Sequence, residues 1–566
     1  MKKTITLLMI AALLFSASFG CNAAKEAEAA PTAEPTAVPT AEPVDPLSEI
    51  AEAEIFAGRH AREEGYPNPF QTHGIDTPFA NVQLMDGEAY SDERLRTLAA
   101  TVASDVVAIG AGTGEAPEKV TVYIVWNLLQ DRPVLLGDHM ICSAEQVESG
   151  AYREALCGVC YDLPIPWKQV GLYELMFGAP DGGGLKEYYA DEAHALTASC
   201  AAVYFLPEVA GEETAAAARQ TAASMTRQVL QTGGLDELRT VVSTEALLRE
   251  WTAALGIETP IALPDGHERA AGMVAYRDRT PRRVCVLEIE NFTVRLNEGG
   301  PAGTADELYT FACQMLNGLD FELQMIREAS PSFAETADRR AKESIVITLS
   351  DDPTQSGVST GSQYEINLVN RNAVWHELIH ALLWTNGTNM LAWMQEGLAE
   401  HYSRSAVSMA IAEPEWKSFA DWFPDSTEMN EEELAFWTAV FRVYVTVRGE
   451  DEAVPSEWYD DWAYRRALAI CELFLPYDPY EGHKNASVGG VRGERADAQA
   501  TDGNALSYEE AMVMLEYLFD VYGTDTIADC MMNNKTLSET CGKDYPALYA
   551  DCIAYLTETY GSLLAD

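Results

Sequence analysis

Basic residues are scarce in this 566-residue chain: 38 Lys and Arg stand against 88 Asp and Glu, a formal net charge of −50. So acidic a surface repels phosphate backbones and anionic membrane faces, which argues against nucleic-acid binding. The charge itself names no substrate and reads mostly as solvated surface. Cysteine supplies no framework. Setting Cys21 aside, the others are scattered, and Cys157 and Cys160 form a lone C-x-x-C without a second pair at zinc-ribbon spacing. Disulfides and buried free thiols are both open. After the first twenty residues no run is long and apolar enough to predict a membrane span. G-x-S-x-G and P-loop patterns are absent too, and the glycine-rich stretch Gly110–Gly114 reads as a loop.

What is present is a globular composition, 47% apolar with 25 Tyr and 11 Trp, on a chain long enough for two or three domains. The amino terminus has the form of a targeting segment: Lys2 and Lys3, then an apolar stretch from Ile5 to Phe15. It ends in Ser18-Phe19-Gly20-Cys21, which resembles a bacterial lipobox, so residues 1–20 are expected to be a signal peptide and Cys21 the lipidated first residue of the mature chain. Ser18 stands where that pattern usually has Leu, and simple secretion remains the alternative. Residues 21–46 are Pro-, Ala- and Thr-rich, without apolar periodicity. Such a segment predicts a semi-stiff tether that holds a soluble body up to roughly 80 Å from its anchor. The expected location is outside the cytoplasm, with the membrane touched only through the lipid.

The rest of the chain resembles itself. Lys119–Val125 (KVTVYIV) stands where Ser344–Leu349 (SIVITL) stands, and Tyr152–Cys157 stands where Trp375–His380 stands. Trp167–Glu174 matches Trp393–Glu400, and the segment from Arg219 aligns without gaps on the segment from Tyr508, whose helical pattern stops at Gly523. Tyr364–Leu368 adds another strand signal. The order predicts a tandem duplication, residues 47–262 and 263–566, of mostly helical α+β domains. The second copy carries an insertion at about 403–505, ending in a loop-like stretch (485–504), and substrate specificity is expected to reside in that insertion.

The second copy holds the chemistry. His376 and His380 are four residues apart, so on a helix both imidazoles leave one face, one turn apart. Two nitrogens so placed can reach one zinc ion at about 2.0–2.1 Å, and Glu377 beside the first His can take a proton from a metal-activated water. The β-rich run Ser344–Leu349 ahead of that helix is read as an edge strand able to hold a peptide by main-chain bonds. A catalytic zinc needs a third protein ligand, and Glu396, fifteen residues beyond His380, is the candidate. The intervening Thr385–Asn389 would make the turn. Glu400 lies on the same helix face as Glu396 and can hold His376 by its other ring nitrogen, or be a solvated acid. In the first copy the matching positions are Arg153, Cys157 and Val170; a guanidinium cannot ligate zinc and Val has no donor atom, so that copy is expected to be metal-free.

The segment Trp393-Met394-Gln395-Glu396-Gly397-Leu398-Ala399-Glu400-His401-Tyr402 resembles the second zinc helix of gluzincin metallopeptidases of the peptidase MA-like clan, especially aminopeptidase-like ones. The resemblance covers about residues 340–402 and 505–560. It implies one Zn2+ per chain bound by His376, His380 and Glu396, with Glu377 as general base. Tyr508, in Ser507-Tyr508-Glu509-Glu510-Ala511, is similar to the tyrosine that stabilises the oxyanion in that family, with His401, Tyr402 and His483 as rivals. The Gly-x-Met-Glu-Asn stretch of the aminopeptidases is not found before His376, which leaves endo- and exopeptidase action equally open. The expected function is zinc-dependent hydrolysis of a peptide or protein substrate by an anchored lipoprotein. The alternatives are a binding or scaffolding lipoprotein on a peptidase fold, and a non-peptidase hydrolase using the same activated water. A protein partner at the degenerate copy is also expected.

Overall fold

The computed structural model describes residues 46–61, 68–178, 184–191, 201–241, 245–258, 261, 263–351, 357–360, 364–383, 392–410, 416–417, 429–448, 454–455, 462–475, 508–533 and 535–564. The expected signal segment with Cys21, the expected tether and turn at Thr385–Asn389, His483 and the stretch 485–504 lie outside them. Pro46–Asp566 make one compact unit of mixed α+β architecture, dominated by helix.

Two six-stranded sheets organise it. In the first, β1 (Ile55–His60), β2 (Phe70–Asp76), β3 (Ala80–Met85), β4 (Val120–Val125), β5 (Val134–Leu136) and β6 (His139–Ser143) stand in the order β1-β2-β3-β4-β6-β5. In the second, β7 (Val274–Tyr276), β8 (Arg283–Ile289), β9 (Phe292–Asn297), β10 (Ile345–Leu349), β11 (Gly357–Thr360) and β12 (Tyr364–Leu368) run β7-β8-β9-β10-β12-β11. The pairing senses agree strand for strand: antiparallel, antiparallel, parallel, parallel, antiparallel. The central parallel strands are the apolar ones, as strands covered on both faces must be; Ile345, Val346, Ile347 and Leu349 are all buried. This corrects one expectation. The run Ser344–Leu349 is interior, paired on both sides as β10, and the edge belongs to β11.

Helix α1 (Asp92–Thr113) crosses between β3 and β4. Ser91 caps it by accepting from the Arg94 amide, and Gly114 ends it at φ 77°. Gly110–Thr113 therefore form its last turn, not the expected loop. The same helix corrects a second expectation: among the described residues it is long and apolar enough to cross a membrane by length and composition. Here Leu95, Leu98, Val102 and Val106 are buried in the core.

Helices pack with each sheet. In the first copy these are α2 (Arg153–Tyr161), α3 (Pro166–Phe177) and α4 (Glu212–Thr240). In the second, α5 (Ala305–Ala329) packs beneath α6 (Val374–Leu383) and α7 (Ala392–Ala410), and α9 (Tyr508–Tyr522) follows α8 (Trp462–Phe474). Helix α7 runs past residue 403, so the extra chain begins as its continuation, and α8 packs on α9. Two glycines fix how the helices approach. A Cβ on Gly171 of α3 would stand 2.5 Å from the Ala222 carbonyl oxygen in α4, and one on Gly397 of α7 would stand 2.5 Å from that of Ala511 in α9. These four positions are equivalents in the sequence alignment. So are Gly234 and Gly523, both at positive φ (72° and 88°), which break the two long helices at the same place.

One apolar cluster runs from Ile50 to Tyr560 through both copies. All nine described cysteines are free thiols, eight of them buried. Burial pushes the Cys157 thiol well above its usual range and Cys160 up to about 12, so this C-x-x-C is inert packing.

Candidate metal centre

Helix α6 is almost wholly apolar: Val374, Trp375, Leu378, Ile379 and Ala381–Leu383 are buried, and burying that stripe sets the helix's rotation. The leftover face carries His376 and His380. Helix α7 is oriented in the same way by Trp393, Met394, Leu398 and Ala399, leaving Glu396 and Glu400 one turn apart. The two polar faces meet.

His376 Nε2 lies 3.0 Å from Glu396 Oε2, His380 Nε2 lies 3.0 Å from the same oxygen, and the two nitrogens are 3.1 Å apart. Among the described residues this is the one His, Cys, Asp and Glu cluster placed to hold a metal ion. The outer nitrogen of His376, Nδ1, sits 2.8 Å from Glu400 Oε1, and Glu400 is buried. With its proton directed to Glu400, a neutral His376 turns a bare lone pair toward Glu396. Three lone-pair atoms at such separations repel unless positive charge lies among them. Tetrahedral ligands at about 2.0–2.1 Å from zinc stand roughly 3.4 Å apart, so the donors need to part by only a few tenths of an ångström. The residues fit a zinc ion.

The charges agree. Burial disfavours protonated His376, yet its bonds to Glu396 and Glu400 outweigh this and lift it to about 10. Burial would raise Glu396, but the two imidazoles draw it down to about 2. The carboxylates around His376 favour positive charge there, whether carried by a proton or by an ion that displaces it. Burial pushes the Glu377 carboxyl above its usual range, partly offset by the two histidines, toward the basicity a proton acceptor needs.

The remaining sequence candidates divide. Tyr508 is the first residue of α9, but its side chain lies outside the described part. His401 is engaged elsewhere: its Nδ1 is 2.9 Å from Glu516 Oε1, and Arg466 pairs with the same carboxylate. Tyr402 is buried edge-on against Phe333, with its hydroxyl unpartnered. In the first copy, Arg153 pairs with Asp105 at 2.8 Å, while Cys157 and Val170 are fully buried. Glu154 and Glu174, the counterparts of Glu377 and Glu400, are both held by Arg219, the counterpart of Tyr508, at 3.0 and 2.9 Å.

Sequence reasoning missed Glu322 of α5. It is fully buried, both oxygens lack a hydrogen-bond partner, and burial raises it well above the usual carboxylate range, with His376 lowering it. Its signal was available: Glu322 falls on the apolar stripe of Met315, Leu316, Leu319, Leu323 and Ile326.

No family model matches the chain, and no match is found among curated proteins or solved structures.

Proposed function

We propose that the second copy is a zinc-dependent peptidase of gluzincin type, carried by an extracytoplasmic lipoprotein anchored through Cys21, and that the first copy is a degenerate unit of the same zincin fold. The observation that carries this reading is the convergence of His376 Nε2, His380 Nε2 and Glu396 Oε2 within 3.0–3.1 Å of one another, with Glu377 beside them. The matching strand order of the two sheets and the equivalent glycines support the duplication.

His376, His380 and Glu396 would hold the ion, and Glu400 would orient His376. Zinc, when bound, polarises a carbonyl and makes water acidic enough to attack near neutral pH. Glu377 accepts the proton of the attacking water and returns it to the departing amide nitrogen. Tyr508 is the proposed donor to the oxyanion.

Metal content and cleavage of a peptide library, compared between residues 46–566 and the same chain carrying Glu377→Gln, test the assignment. One zinc in each, with cleavage by the parent alone, supports it. Zinc in both with cleavage by neither favours the binding-protein reading, and a folded chain without zinc sinks the assignment.

A further inference from the structure

The first copy keeps a cleft although it lacks the ligands. A cavity of about 1240 Å³ opens against Glu154, Ala155 and Val159 of α2, Gln169 of α3 and Arg219 of α4. Its other walls are two sheet edges, β5 from the first sheet and β7 from the second, each the terminal strand of its sheet. The two edges are pinned together at one end. The Asp131 amide donates to the Arg277 carbonyl, and the Arg279 amide to the Leu129 carbonyl, both at 3.0 Å. From that stitch β5 and β7 diverge, and the cavity occupies the wedge between them.

We propose that this wedge binds an extended, basic polypeptide strand, recognised by main-chain pairing to β5 and β7. The site needs no metal and stands independently of the peptidase reading. Three observations select this occupant. The volume exceeds the roughly 300–1,000 Å³ of ordinary small-molecule pockets. Two terminal strands bordering one cavity offer main-chain donors and acceptors to an added strand, which a compact ligand does not use. Charge selects the sign. Asp131, Glu154, Asp162, Glu288 and Glu290 line the cavity against Arg132, Arg219 and Lys342, five carboxylates to three cations. The net charge of −50 adds long-range attraction for a cationic strand. At the rim Leu129 is 80% exposed, beside cavity-lining Gln130, an apolar contact for a strand leaving the wedge.

Arg132 and Arg219 are already engaged, with Glu288 and Glu154, and Arg269 takes Glu290, which leaves Asp131 and Asp162 against Lys342 to meet a strand. Arg132 spans the wedge, pairing with Glu288 at 2.8 Å and stacking on the Tyr276 ring at 4.5 Å. Arg219 is shared by Glu154 and Glu174. Together they brace the inner wall.

The test uses the full chain carrying Glu377→Gln, so that cleavage cannot obscure binding, with and without a chelator. The probe is a fluorescent octapeptide of alternating Val and Lys, and its Val–Glu counterpart is the control. Expected are one-to-one binding of the lysine peptide that survives chelation, and slowed amide exchange at residues 134–136 and 274–276. Leu135→Pro, which puts a residue without an amide hydrogen into β5, and Val159→Trp, which fills the cavity, should each weaken binding about tenfold or more. Circular dichroism checks that each variant folds, and the exchange measurement on the parent needs neither. Absence of binding, equal binding of the glutamate peptide, or binding that leaves both edges exchanging freely overturns the proposal.

Discussion

His376 is gripped from both sides, by Glu396 at Nε2 and by Glu400 at Nδ1. Removing the outer grip leaves three ligands but frees the ring to turn. Glu400→Ala is expected to weaken zinc binding about 10- to 100-fold, read by competition with a zinc-sensitive dye. Lys168 makes a contrasting case in the first copy. It is buried where the second copy has Met394, its Nζ donates to the Arg239 carbonyl, and burial depresses it from 10.5 to about 8. Between those values the unfolded chain binds the proton that the folded one has shed, so this lysine's penalty falls as pH rises through that window. Lys168→Met is expected to stabilise the protein by about 1–3 kcal/mol at pH 7 and by progressively less toward pH 10, measured by denaturant melts. His376, His380, Glu396 and Glu400 were legible in the sequence because helical periodicity puts them on shared faces. The double pairing of Arg219 depends on which helices cross and where and leaves no sequence signal, whereas Glu322 stands on an apolar helix stripe and was legible there.

Two packing glycines connect elements to chemistry. Gly397→Ala and Gly171→Ala each place a carbon 2.5 Å from a backbone oxygen of the neighbouring long helix. Helix must move from helix, at about 1–3 kcal/mol. The outcomes should differ in one respect. Gly397→Ala shifts α7 and with it Glu396, so it loses zinc affinity as well as thermal stability. Gly171→Ala loses stability alone. Melting curves combined with zinc titration separate the two. The comparison also explains what repeats in the sequence: Trp167 and Trp393 are both buried, and both glycines sit on equivalent carbonyls, whereas Val170 replaces Glu396. Packing is shared and the candidate ligands are not. The strands were read less well than the helices. β11, Gly357–Thr360, carries little apolar signal, so the more hydrophobic β10 was taken for the edge it does not occupy.

At the scale of the molecule, the repeat divides the sequence near residue 262, but the apolar cluster does not divide there. Bonds cross the division as well: Tyr204 donates to Asp306 at 2.6 Å, and Arg277 pairs with Glu208 at 2.8 Å. Calorimetry of residues 46–566 is expected to show one cooperative transition, and residues 263–566 alone to be markedly less soluble, because their contact face would lie open. Two resolved transitions would count against this coupling. The matching order of segments was visible in the sequence, while the stitch between the sheets rests on main-chain bonds that leave no compositional trace.

The first copy packs α2, α3 and α4 around Cys157 and Val170, where the second has donor atoms. A scaffold that closes over thiol and methyl groups does not require an ion to hold its helices together. The metal proposed for the second copy would therefore be a replaceable occupant. Stripped protein should stay folded and accept cobalt in zinc's stead, turning a spectroscopically silent pocket into a coloured one whose absorption band reports the coordination number directly.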